Sequence, residues 1–78
     1  MSKDEILMYR DACRFLERYC DPPRSDSPEA EDWWTAAAID LGELVGGKWN
    51  NHPFMMAIMP GIWNYIEQLS KGEEEQSA

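Results

Sequence analysis

Residues 53–69 read PFMMAIMPGIWNYIEQL, and the fold turns on whether the Pro60-Gly61 pair divides them. At about 100° per residue, Phe54, Met55, Ile58, Met59, Ile62, Tyr65, Ile66 and Leu69 keep one helical phase on both sides of that pair. Pro60 and Gly61 themselves fall on the polar side. The spacing predicts one helix over 53–71 kinked at Pro60, with two short collinear helices as the alternative. Lys71-Gly72 marks its end, and Glu73 to Ala78 reads as a frayed acidic tail beyond a single helical domain, 1–72.

Two further helices precede this one. Ser2-Lys3-Asp4-Glu5 has the S-x-x-E form of a capping box, which starts a helix over 3–20. Ile6, Met8, Tyr9, Ala12, Cys13, Phe15, Leu16, Tyr19 and Cys20 share one half of its circumference, an arc wide enough for two packing neighbours. Asp21-Pro22-Pro23 stops it, because a residue before proline resists the α region. Ser27 is placed to cap a second helix over 28–45, with Pro28 at its first position and Glu29, Glu31 and Asp32 at its positive end. Trp33, Trp34, Ala37, Ala38, Leu41, Leu44 and Val45 line one face of it, and Gly46-Gly47 is the expected stop. No β-alternation and no internal repeat occurs. The expected architecture is all-α, a small three-helix bundle with short connections.

The chain has 78 residues, so a lone domain of this kind buries only about 60% of its unfolded surface. Its net charge of −8 disfavours direct contact with nucleic acid or an anionic membrane. Acidity is concentrated: residues 21–45 hold Asp21, Asp26, Glu29, Glu31, Asp32, Asp40 and Glu43 against Arg24 alone, and Glu73, Glu74 and Glu75 follow in the tail. No secretory leader pattern is visible, and Pro53 to Trp63 is too short and broken to span a bilayer. Cys13 and Cys20, seven residues apart on one helix and about 10 Å along its axis, cannot pair there. They read as buried, reduced thiols, consistent with a cytoplasmic protein.

The residue inventory points away from an enzyme. His52, the single histidine, sits in Asn50-Asn51-His52-Pro53, the setting of a helix cap. Neither cysteine has an orienting base, and no thiol redox, zinc-protease, phosphate-loop or calcium-loop motif occurs, so no catalytic residue, cofactor or metal is expected. Glu29, Asp32, Asp40 and Glu43 form an acidic stripe on the second helix, read as a solvated face or a charged docking surface. Arg10, Arg14 and Arg18 make a ridge on the first helix, expected to pair with neighbouring acids rather than with phosphates.

The aromatic residues carry the functional expectation. Trp33 and Trp34 diverge by about 100° and fall at opposite edges of the second helix's apolar arc. Met56 and Trp63 share the shoulder of the third helix, and Trp49 lies in the loop before it. These rings either cap the edges of a small core or form an exposed patch, in which Trp49, Met56 and Trp63 are the candidate partner-binding residues, with Leu7 and Ile39 as additions, since Trp and Met are enriched in interface cores. The sequence therefore suggests a small protein acting by protein–protein contact, as a homodimer, an adaptor or a regulatory subunit. The alternative is an acidic charge mimic that blocks a nucleic-acid-binding protein, of the type phages and mobile elements encode.

Overall fold

In the computed structural model, α1 (Lys3–Tyr19) begins at the capping box: the Glu5 amide donates to Ser2 Oγ at 3.1 Å, and the Ser2 amide donates to Glu5 Oε1 at 2.7 Å. The structure describes the backbone of residues 1–76 and the side chains of residues 1–71; among these the regular elements are all helical. α2 spans Ala30–Gly42 and runs on as a π-helical segment, Glu43–Lys48; α3 spans Pro53–Gln76. The three-helix all-α arrangement is as the periodicity predicts. α3 runs past Lys71-Gly72, its expected end, to Gln76, so only residues 77–78 of the expected acidic tail lie outside the described backbone.

α3 passes through Pro60 as one helix, so the two-helix alternative does not arise. Pro60 is exposed, on the side away from the core, where the Met56 carbonyl freed by the missing N–H can face water. The helix opens at His52, whose Nδ1 accepts from the Phe54 amide at 3.1 Å, the capping role expected of that residue.

Two boundaries of the second helix differ from expectation. Ser27 does not cap it. Residues 27–29 form a turn in which the Ala30 amide reaches the Ser27 carbonyl, Glu29 becomes the N-cap in helical geometry, and Ser27 Oγ is buried without a partner. Gly46-Gly47 does not stop the helix either. Both glycines keep negative φ, and the widened π turn carries the chain on to Lys48. The left-handed stop falls instead on Asn50 and Asn51, with φ of 50° and 56°, a conformation Asn tolerates through its short polar side chain. The Asn51 amide returns to the Val45 carbonyl at 2.7 Å, closing the segment.

The helices run up, down, up. Tyr19 at the end of α1 meets Trp33 and Asp40, while Asp11 further back meets Lys48, so α2 is antiparallel to α1. Trp34 near the start of α2 meets Trp63 late in α3, and the α2 end lines a groove with Met55 and Met56, so α3 reverses again. α1 and α3 approach closely along their backbones, whereas α2 stands off from both.

Large rings span that separation. Phe15, Tyr19, Trp33, Trp34 and Trp63 form a continuous chain with centroids 4.8, 5.3, 4.9 and 5.3 Å apart, crossing from α1 through α2 to α3. Beneath it lie Met8, Ala12, Ala37, Met55, Met59 and Ile66, all essentially inaccessible to water. The radius of gyration is 13.7 Å, above the roughly 11–12 Å expected for a compact chain of this length. A core this thin leaves apolar surface over, and α1 shows where. Met8, Ala12, Phe15 and Tyr19 are buried, but Cys13 and Cys20 are exposed, contrary to the expectation of buried thiols. The apolar arc of α1 is simply wider than the strip its neighbours cover.

Met55→Ala, at a fully buried site, is expected to cost about 2–5 kcal/mol, a large share of the roughly 4–12 kcal/mol total for a domain of this size. Trp34→Ala, which cuts the ring chain between α2 and α3, is expected to cost about 3 kcal/mol, with Trp34→Phe restoring most of it. Urea unfolding followed by circular dichroism measures both; an unchanged midpoint for Trp34→Ala would show that the rings do not tie the helices together.

Candidate interaction surface

The expected partner-binding residues occupy three different settings. Trp63 packs edge-on against Trp34 and is half-buried, covered within the chain by the aromatic series. Trp49 donates its indole N–H to Asp11 Oδ2 at 2.8 Å, and Lys48 Nζ lies 5.6 Å from its ring centroid. Met56 alone of the three is exposed, at 53%. Leu7 and Ile39, the possible additions, are also exposed.

Met56 forms one wall of an apolar groove of about 450 Å³ between α2 with its π segment and α3. Ala38, Leu41, Gly42, Val45 and Gly46 supply one side, and Met55, Met56, Met59 and Pro60 the other. The groove exists because α2 stands off on its tryptophans and because Ala38, Gly42 and Gly46, four residues apart, leave that flank low. A Cβ added at Gly42 meets nothing within 4 Å, so the channel there is open rather than tightly packed. Methionine walls adapt to varied shapes, since the unbranched thioether has three rotatable bonds. Periodicity pointed to Met56 but not to the groove. The small-residue spacing on α2 was its one sequence signal.

On the other side of α2 the acidic stripe divides. Asp40 accepts a hydrogen bond from the Tyr19 hydroxyl and lies 3.7 Å from Arg18, so it belongs to the α1 interface. Glu43 lines the same cleft, of about 350 Å³, together with Arg14, Arg18, Lys48 and Asp11. Arg14 and Arg18 of the α1 ridge thus face acids of α2, whereas Arg10 lies outside the cleft. Three cations and three carboxylates share the cleft, so it offers no net attraction to an anion or a cation. Glu29 and Asp32 remain exposed near the start of α2. Among the described residues, no group of three His, Cys, Asp or Glu side chains converges as a metal site would require, and no helix is long and apolar enough to cross a membrane.

Asp11 is the most enclosed carboxylate of this cleft, its side chain 12% exposed, with Lys48 Nζ at 2.8 Å and the Trp49 indole at the same oxygen. Sequence reading placed Asp11 on the polar half of α1 and gave no sign of these partners. The π turn makes them possible by delivering Lys48 and Trp49 to one point. Burial pushes the Asp11 carboxyl up, but the bonds from Lys48 and Trp49 outweigh it and hold it below the ordinary carboxylate value. Tyr19 moves the opposite way. Burial, then the bond to Asp40 and its charge, push the phenol up despite Arg18.

No protein-family model, curated protein or solved structure matches this chain. Its chemistry therefore has to be read from the groove, the cleft and the exposed faces themselves.

The two shifts set opposite pH limits. Asp11 has the lower value when folded, so its contribution is present above the unfolded carboxylate range near about pH 4 and is lost as pH falls through the folded value. Tyr19 has the higher value when folded, so its contribution is present below about pH 10 and is lost as pH rises through the folded value. Asp11→Ala is expected to cost about 1–3 kcal/mol at neutral pH, because it strands the Trp49 N–H and the Lys48 ammonium, and to flatten the acid limb of stability. Urea midpoints from neutral pH down to about pH 2 check this. Parallel acid limbs in the two proteins would show that other carboxylates set the limit.

Proposed function

We propose that this chain is a non-enzymatic interaction protein that receives an amphipathic helix of a partner protein in the groove between α2 and α3. The observation that carries the reading is the groove itself: an open apolar channel with exposed Met56 and Pro60 on one side, Ala38, Gly42 and Gly46 on the other, and the buried Met55 and Met59 beneath it. Helix-in-groove recognition uses such a channel, with anchors at every third or fourth residue of the incoming helix. The net charge of −8 favours an incoming helix whose polar face is basic, through faster encounter and register rather than through raw affinity. Trp63, half-covered by Trp34, extends the α3 side of the same shoulder. A cytoplasmic setting fits the two exposed free thiols, which an oxidising compartment would cross-link or modify.

The charge-mimic alternative draws less support. Asp40 and Glu43 face the arginines of α1 instead of forming a free carboxylate row with Glu29 and Asp32.

A synthetic leucine-lysine amphipathic helix is a direct probe of the groove. Its addition is expected to shift the methyl NMR signals of Met55, Met56 and Met59. Gly42→Phe, which fills the channel at a position with room for a side chain, is expected to abolish the shifts while leaving the fold intact. If the peptide instead perturbs the surroundings of Glu29 and Asp32, and does so equally in Gly42→Phe, the acidic surface is the binding site and the groove reading fails.

A further inference from the structure

We infer that two copies of this chain associate face to face through the side of α1 and α3 that turns away from α2, in an antiparallel arrangement whose two-fold axis passes near Cys13 and Gly61. This surface is separate from the Met-lined groove and does not depend on the groove having a partner.

α1 carries two apolar seams. Met8, Ala12, Phe15 and Tyr19 form the one buried inside the monomer. Ile6, Tyr9, Cys13, Leu16 and Cys20 form the other, at alternating spacings of three and four, displaced by about 110° around the helix. Ile6 and Tyr9 are 48% and 56% exposed, Cys13 and Cys20 are exposed, and only Leu16 is partly covered. α3 repeats the pattern. Phe54, Ile58, Tyr65 and Leu69 are displaced by about 90°, in the opposite sense, from its buried Met55, Met59 and Ile66. Tyr65 is 50% exposed, and the other three are partly so.

α1 and α3 run in the same direction, so opposite displacements bring both seams to one side of the molecule. α2 meets the other flank of each helix, at Asp11 and Arg18 of α1 and at Met56 and Trp63 of α3. Neither seam contains an Asp, Glu, Lys or Arg, on a chain of net charge −8, and Glu5 marks the edge of the α1 seam beside Leu16. Two copies of so acidic a chain repel each other elsewhere; here they can meet without placing like charges together.

The pattern is also self-complementary. An antiparallel two-fold at Cys13 sets Tyr9 opposite Leu16 and Ile6 opposite Cys20 of the second copy. At the rim it brings Arg10 opposite Glu17. On α3 a two-fold at Gly61-Ile62 sets Phe54 opposite Leu69 and Ile58 opposite Tyr65. An isologous interface requires one axis to serve both seams, and the proposed dimer places it between the α1 pair and the α3 pair. At the centre a Cβ on Gly61 would meet open space, so the α3 helices of the two copies can approach closely there.

The size is sufficient. α1 is about 25 Å long, and two helices about 10 Å apart present roughly 500 Å² per copy. That makes about 1,000 Å² in total before side-chain relief is counted, which reaches the floor for a specific interface. The joined α1 and α3 pairs form a four-helix bundle, with each α2 on the outside.

Sedimentation equilibrium of the full chain from low-micromolar to near-millimolar concentration tests the proposal. A monomer–dimer equilibrium is expected, weakened about tenfold or more by Tyr9→Glu and by Tyr65→Glu, and unaffected by Gly42→Phe. Copper-phenanthroline oxidation distinguishes the register. Wild type and Cys20→Ser are expected to give a disulfide-linked dimer, and Cys13→Ser is not. A strict monomer across the range overturns the proposal. So does a dimer that both Glu variants leave intact, or one cross-linked through Cys20 rather than Cys13. Should the Glu variants lose their helical circular dichroism, the cross-linking pattern of the folded cysteine variants decides.

Discussion

The series of rings from Phe15 through Tyr19, Trp33 and Trp34 to Trp63 is the constraint on which the rest of the molecule depends. A chain of 78 residues has too little interior to hold three helices by aliphatic packing alone. The rings solve this by reaching across gaps that smaller side chains could not close, in tilted and edge-on geometries that add to their burial. The same solution has a consequence. Rings that hold α2 at arm's length open a groove on one side of it and a charged cleft on the other.

Charge is arranged around that framework rather than scattered over it. Asp11 and Asp40 turn inward to Lys48 and Arg18, with Glu43 and Arg14 exposed along the same cleft, while Glu29 and Asp32 stay in solvent away from it. The π segment is the joint that makes this possible. An ordinary helical stop at Gly46 would leave Lys48 and Trp49 in a loop, but the widened turn carries both onto Asp11. Single π turns of this kind recur where a helix must re-aim its side chains. Here the re-aimed side chains seal one end of the α1–α2 contact.

Much of the fold was legible in the sequence because helical phase is a local property. The Ser2–Glu5 box, the cap at His52 and the unbroken phase of α3 through Pro60 each depend on residues within a turn or two of one another. The misread boundaries share a different cause. Ser27 and Gly46-Gly47 have the right chemistry for a cap and a stop, but neighbouring turns and the Asn50-Asn51 pair satisfied the backbone in another way. Cys13 and Cys20 were misplaced because an apolar arc states what a helix could bury, whereas burial depends on how many neighbours arrive.

The sequence by itself therefore determined three helices, their order, the acidic balance and the residues available for contact. Only the tertiary structure decided which of those residues are spent inside. Trp63 and Trp49 were equal candidates for free surface until Trp34 covered one and Asp11 fixed the other, leaving Met56 beside an open groove. It also decided that α1 and α3 turn their second seams to the same side. Helical periodicity fixes directions around each axis separately, and the relation between axes is set by packing, which no stretch of one helix encodes.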